Sequence, residues 1–416
     1  MSTRREDDGS SARLAADHAF YKDCSECASA IAELFKLRGA HFPEIPWVDE
    51  WPDESKLEKA APAIARKLID LPEKRRRVYL RSSKRTRSRP VVEALIEKSK
   101  AHLSTDADRA VEIATLAQIC TDEMSTDRYE EPLWFDLKAV ALANLSNAHR
   151  RSGDLRAAGE AIEEALIALL LGTENPSVVA SVLQRKSRLD RDLGDFEAAL
   201  AAIEQAVELC QFEELRHQRG VVLYERSRVL SSLERHEDCL ADLHSAINYL
   251  DLQKDGRMGL VVFHAIAIRC TAMGRLAQAN HYLDEALRLW TDFMNAGDRI
   301  RIAWARARLE VAREDLNAAG AYFLEVRDRF LAMDYPLDAS LATLEFATIL
   351  AEQGRFDEVA KLASEMKSTF QAVGVPRQAL AAAYLLREAE NVETVQQVAA
   401  TLIRLTSSTS SLASIR

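Results

Sequence analysis

One three-residue signature returns six times at a nearly constant interval, and few folds are open to a chain with that property. It reads Gly153-Asp154-Leu155, Gly194-Asp195-Phe196, Glu234-Arg235-His236, Gly274-Arg275-Leu276, Glu314-Asp315-Leu316 and Gly354-Arg355-Phe356, so successive starts lie 41, 40, 40, 40 and 40 residues apart. A constant period of ~20–50 residues marks a stacked array of supersecondary units, none of which can bury its apolar face alone.

The residues after each signature identify the unit as a pair of helices. Five positions past its first residue comes a small or slender side chain: Ala158, Ala199, Cys239, Ala279, Ala319 and Val359. Four further on stand Ile162, Ile203, Leu243, Leu283, Phe323 and Ala363, and three beyond those Ala165, Ala206, Ala246, Ala286, Val326 and Met366. Offsets of four and three place all of them on one helical face. A small residue recurs where two helix backbones cross closely. The glycine supplies the tight turn between the helices, since it tolerates positive φ at little cost. Glu234 and Glu314 replace it twice, and there the turn is expected to be made differently.

Alanine at the crossing points, a turn glycine and an apolar residue two past it make the chain resemble the tetratricopeptide repeat family over roughly its last three quarters. The resemblance implies an all-α fold, an α-solenoid of antiparallel helix pairs. The family unit is ~34 residues, so the longer unit here implies helices extended by about a turn each. The bulky aromatics of the family's first helix are mostly missing. Long-unit arrays of this kind resemble those of bacterial signalling and transcriptional regulators, an analogy of fold alone.

Composition narrows the functional classes. Among 416 residues, 65 acidic side chains outnumber 55 basic ones, and the net charge of −10 disfavours a general nucleic-acid binder. Met1 to Ser11 lacks the apolar core of a signal peptide, and no later run reaches the ~18 consecutive apolar residues of a spanning helix, so no membrane partner is expected. Six cysteines are scattered. Cys120, Cys210, Cys239 and Cys270 read as small buried residues of helices, which fits a reducing cytoplasm.

The chain divides into a disordered start (1–12), a small helical N-terminal region (13–89), the array (90–405) and a disordered Ser/Thr-rich tail (406–416). His18, Cys24 and Cys27 have the one metal-like spacing, with Cys-x2-Cys able to place two thiolates on one zinc ion. Asp17, His41 or a water would be the fourth ligand. The alternative is an ordinary pair of helical cysteines. This segment resembles the zinc-binding helical domain of bacterial anti-sigma factors, with a longer loop between His and Cys. Prolines 43, 46 and 52 then enforce extended chain around Trp47 and Trp51, and a helix is expected from Ser55, as N-cap, to about Asp70. Nine basic residues in sixteen follow from Lys74 to Arg89. Without interleaved aromatics or a helix-turn-helix pattern they read as a solvated helix face, or as a linker pairing with acids of the same chain. Residues 90–121 form an early helix pair out of phase with the array, turning at Thr105-Asp106 and carrying Ala110, Ala114 and Ala117. At the far end Pro376 opens one helix, and Asn391 caps another to about Arg404.

No phosphate-cradling loop, dinucleotide fingerprint or His-Glu-x-x-His helix is present, so a non-enzyme is expected. The family resemblance implies that the first helix of each unit lines a concave wall. Its central positions hold Asn147, Arg150 and Arg151; Gln184, Arg188 and Arg191; Tyr224 and Arg228; His264; and Arg301, Trp304 and Arg308. Such a basic and aromatic stripe suits an acidic protein or peptide segment. The alternative is that these arginines pair with neighbours such as Asp190, Asp192 and Glu225 and hold the stack together. Three functions follow: a cytoplasmic scaffold or adaptor binding a protein or peptide, a transcription or anti-sigma-type regulator using the His/Cys segment with the array as sensor, or an accessory substrate-binding subunit of an enzyme.

Overall fold

The computed structural model describes residues 54–82, 85–103, 105–124, 130–253, 255–290, 292, 294–333, 336–373, 386–387 and 389–406. Seventeen α-helices and no strand are found among the described residues. They fall into two compact units, the first ending at Leu189 and the second beginning at Asp190. The first contains α1 (Glu54–Asp70), α2 (Glu73–Ser82), α3 (Arg89–His102), α4 (Ala107–Asp122), α5 (Glu131–Ser152), α6 (Leu155–Leu169) and most of α7 (Pro176–Leu193). The second contains the last turn of α7, then α8 (Phe196–Leu209), α9 (Arg216–Ser232), α10 (His236–Tyr249), α11 (Gly256–Ala272), α12 (Leu276–Trp290), α13 (Ala296–Ala312), α14 (Leu316–Ala332), α15 (Pro336–Glu352), α16 (Phe356–Val373) and α17 (Val392–Thr406).

The six signatures are six copies of one helix stop. In each, the first residue is left-handed: φ is 90° at Gly153, 84° at Gly194, 71° at Gly274 and 73° at Gly354. Its N–H bonds to the carbonyl three residues back, and the next N–H to the carbonyl five back, as in Gly153 to Arg150 (3.3 Å) and Asp154 to His149 (3.0 Å). This pair of bonds satisfies carbonyls that the ending helix leaves open. Glu234 and Glu314 make the same turn, with φ of 58° and 65° and the same two bonds, contrary to the expectation of a different geometry. The helices on either side dictate the conformation, and the glutamate backbone bears the strain. Where the second signature residue is Asp, its carboxylate also starts the next helix. Asp154, Asp195 and Asp315 each accept from the N–H three residues on, at 3.0 Å, a cap contributing ~1 kcal/mol.

All eighteen of the apolar positions after the signatures are buried, none more than 3% exposed. Ala158, Ala199, Ala279 and Ala319 are fully enclosed at the helix crossings, where a longer side chain would push the backbones apart. A fully buried Leu or Ile such as Leu283 or Ile203 contributes ~1.5–3 kcal/mol, so the repeated face is the main source of cohesion. Leading helices of the array pairs run 17–22 residues, from α9 to α5, and following ones 14–18, from α8 to α16. That accounts for the long period.

In the first unit, α3 and α4 form the early pair. Ala110, Ala114 and Ala117 are buried, and Asp106 caps α4 through the Arg109 N–H at 2.9 Å. Ser99 Oγ donates to the Ala110 carbonyl at 2.9 Å and accepts from Asn144 Nδ2 at 3.1 Å, tying α3, α4 and α5 together. α1 begins at Glu54, so Ser55 lies inside its first turn rather than capping it. The basic run pairs within the unit: Arg76 with Glu112 at 2.5 Å, Arg81 with Glu123 at 2.7 Å and Arg89 with Glu93 at 2.7 Å. In the second unit Asn391 caps α17, accepting from the Thr394 N–H at 2.8 Å. Cys120, Cys210, Cys239 and Cys270 are buried thiols. No helix among the described residues is long and apolar enough to cross a membrane.

Candidate functional site

Three leading helices of the second unit, α9, α11 and α13, turn one face each toward a common cavity of about 810 Å³. The residues they present are spaced by three and four: Tyr224, Arg228 and Ser231; Arg257, Val261, His264 and Ile268; Arg301, Ala305 and Arg308. That is the spacing of one helical stripe. The last turn of α7 adds Arg191 and Asp192, and α10 adds Cys239 and Leu243. Seven residues of the sequence-predicted stripe thus meet at one place: Arg191, Tyr224, Arg228, His264, Arg301, Trp304 and Arg308.

Most of the cavity's guanidinium groups already face an acid of the fold. Arg191 pairs with Asp192 at 3.0 Å and stands 3.9 Å from Glu225, which Arg228 also approaches at 3.6 Å. Asp298, 2% exposed, accepts from Arg301 at 2.8 Å and from Arg257 at 3.3 Å. Arg308 forks onto Glu345 with bonds of 2.6 and 2.9 Å and lies over the Trp304 ring, 5.4 Å from its centroid. Trp304 is itself 7% exposed, donates from Nε1 to Glu345 at 2.7 Å and packs edge-on against Phe330. It serves the core and orients Glu345, and through Glu345 it holds Arg308. Internal pairing, one of the two readings open from the sequence, therefore occupies much of the stripe.

Arg269 differs. Its Nη1 meets His236 Nδ1 at 2.9 Å and its Nη2 donates to Ser231 Oγ, both neutral partners. Its buried Nε has no hydrogen-bond partner, and no carboxylate pairs with it among the described residues. Six guanidiniums, those of Arg191, Arg228, Arg257, Arg269, Arg301 and Arg308, face five carboxylates, those of Asp192, Glu225, Asp255, Asp298 and Glu345, which leaves one positive charge over. Burial, together with the nearby Arg301 and Arg308, pushes His264 down to about 4. Its ring is neutral near pH 7, and Nε2 carries the proton it donates to the Arg301 carbonyl at 3.2 Å.

Sequence reasoning missed Arg257 and Arg269. Arg257 lies seven residues before His264 and could have been found by extending the α11 stripe by two turns. Arg269 is five residues past His264, off the strict stripe, and only the packing of α9 and α10 around it reveals its role. In the first unit, the remaining predicted residues lie on α5 and α7. Asn147 is 6% exposed and accepts from Arg150 at 3.1 and 3.3 Å, while Arg151 donates to the Leu103 carbonyl at 3.3 Å. Gln184 and Arg188 sit one turn apart on α7, both partly exposed. His18, Cys24 and Cys27, with Asp17 and His41, lie outside the described residues.

Comparison with known proteins matches the architecture. Residues 180–212 fit the tetratricopeptide repeat family model. A solved Rap protein, complexed with Competence and Sporulation Factor, is similar over 79% of this chain and 89% of its own, with 13% identity and a TM-score of 0.55. Aspartyl phosphate phosphatase F from Bacillus subtilis is similar over 89% of this chain and 96% of its own, at 13% identity and a TM-score of 0.50. Likeness at that identity establishes a tetratricopeptide-like helical fold and nothing finer. Among curated proteins no match is found.

Proposed function

We propose that the protein is a non-catalytic scaffold or adaptor of bacterial regulation, working in the cytoplasm, whose second unit takes a carboxylate-bearing peptide or protein segment into the arginine-lined cavity. The observation that carries this reading is Arg269, a guanidinium on the cavity wall held by a hydroxyl and an imidazole rather than by an acid. An arriving carboxylate pairs with it without displacing an internal partner, and such charge-assisted bonds are roughly twice as strong as neutral ones. Met258, Val261 and Ile268 supply apolar contact alongside.

The cavity volume, about 810 Å³, lies within the ~300–1,000 Å³ of sites that enclose a small ligand. It suits a short stretch of chain, not a folded domain. The similar Rap protein was solved in complex with Competence and Sporulation Factor, which supports a binding role by analogy of fold. A binding role without chemistry fits His264, the cavity's one imidazole: a backbone carbonyl orients it where a general base would have a carboxylate.

Affinity purification with the full chain as bait, followed by mass spectrometry, tests the proposal when run beside the double variant Arg228→Ala, Arg269→Ala. The variant is expected to keep its helical spectrum and lose the partner. Recovery of the same partner by both proteins would reject the cavity as the binding site.

A further inference from the structure

The outward face of α6, in the first unit, differs from its counterparts in the other helix pairs. Offsets of three and four put Glu160, Glu163, Glu164, Ile167, Leu170 and Leu171 on one stripe of α6 and the turn that prolongs it, opposite the buried Ala158, Ile162 and Ala165. Ile167 is 61% exposed, Leu170 83% and Leu171 53%. At the place of Ile167, fourteen residues past the first signature residue, the other five pairs carry Glu208, Asn248, Arg288, Asp328 and Ser368. Single apolar side chains on a surface are ordinary, whereas a contiguous group of them marks a contact. This group is also held in place. The N–H groups of Leu170, Leu171 and Gly172 bond to the carbonyls of Ile167, Ala168 and Leu169 at 3.1–3.2 Å, and Thr173 donates to the Asp136 carboxylate of α5 from its N–H, at 3.1 Å, and from its Oγ1. Leu133, one turn before Asp136, is 46% exposed and adds a fourth apolar side chain at that end of α5.

Carboxylates flank these side chains. Glu163 and Glu164 stand one turn before Ile167, Glu174 follows Leu171, and Glu130 and Glu131 precede Leu133. All five are exposed, and none makes an ion pair or a side-chain hydrogen bond among the described residues. The last turn of α6 carries no basic residue, so the negative end of its dipole is open as well. We propose that this patch is a docking surface for a basic amphipathic helix of a partner protein, one that lays its apolar face on Leu133, Ile167, Leu170 and Leu171 and brings its Lys and Arg side chains to the surrounding carboxylates. Charge complementarity selects that occupant. The same carboxylates repel an anionic lipid surface, and a second copy of the chain would set acid against acid across a two-fold axis. The surface lies in the first unit and takes the opposite charge from the second unit's cavity, so it does not depend on how that cavity is used.

The test uses the full chain and a labelled synthetic peptide with Leu on one helical face and Lys on the other, followed by fluorescence anisotropy at ~0.15 M salt, where the screening length is ~8 Å. Saturable binding is expected, and none by the same peptide with Glu in place of Lys. The combined variant Ile167→Ser, Leu170→Ser, Leu171→Ser should bind about 10-fold or more weakly at an unchanged melting temperature, since the side chains removed face solvent. Glu163→Gln, Glu164→Gln and Glu174→Gln together should weaken binding and flatten its salt dependence. Absence of saturable binding would overturn the proposal. Full-strength binding to the serine variant would do so too, because the net charge of −10 would then be drawing the peptide to the chain at large. Two further results would reassign the patch: sedimentation showing a dimer that the serine variant loses, which would give it to a second copy, or flotation with phosphatidylglycerol vesicles that the variant loses, which would give it to a membrane.

Discussion

Glu234 and Glu314 occupy backbone positions that their four counterparts fill with glycine. A side-chain-bearing residue in the left-handed region costs ~1–2 kcal/mol, and replacing it by glycine returns ~0.4–1 kcal/mol of that as unfolded-state entropy. At the glycine turns a Cβ would meet nothing within 4 Å, so the penalty lies in the backbone and not in crowding. Neither glutamate side chain makes a hydrogen bond or ion pair among the described residues. Glu234→Gly and Glu314→Gly should therefore each stabilise the protein by ~0.5–1 kcal/mol, measured as a rise in denaturant midpoint at unchanged m-value. A fall would show that the carboxylates contribute something the fold does not display. The sequence marks these two positions as exceptions, but it cannot say that the flanking helices will impose the same turn on them. Arg269, which has no acid beside it, was hidden for a related reason. Whether a guanidinium is compensated depends on which carboxylates neighbouring helices bring across, and that is a tertiary fact.

Where two helices cross, the margin for a side chain is set by backbone and varies sharply between neighbouring hairpins. Gly220 opens the face of α9 that packs on α10. A Cβ there would lie 2.8 Å from Leu250 Cγ and 3.0 Å from the Ala246 carbonyl oxygen, which cannot move independently of its helix. Gly159 of α6 meets nothing within 4 Å. Helix propensity favours alanine over glycine by ~1 kcal/mol at both sites, but overpacking of ~1–3 kcal/mol opposes it at Gly220. Gly159→Ala should raise the melting temperature and Gly220→Ala should lower it. Equal gains at both would mean that α9 and α10 sit further apart than described. At this scale the fold was largely readable in advance: the period, the small crossing residues and the out-of-phase first pair all follow from residue spacing. Pairing of the basic run with Glu112 and Glu123 was one of the readings open from composition, and only coordinates could name its partners.

Across the whole molecule, the proposed acidic ligand faces a conflict between near and far fields. The chain carries a net charge of −10, whereas the cavity's own surplus is one guanidinium, that of Arg269. At ~0.01 M salt the screening length is ~30 Å, so an approaching acidic segment feels the repulsion of the entire chain. At ~0.15 M it is ~8 Å, and only groups near the cavity mouth act. Association should therefore accelerate with added salt over that range, opposite to the usual behaviour of oppositely charged partners. Dissociation should accelerate too, because the contact pair with Arg269 is itself screened. Stopped-flow mixing with the segment recovered by affinity purification measures both rates. Replacing that segment's Asp and Glu by Asn and Gln should flatten the association dependence. An association rate that falls steeply with salt would mean that the basic wall governs the approach from long range, and that the acidic remainder of the chain plays no part in selecting what enters.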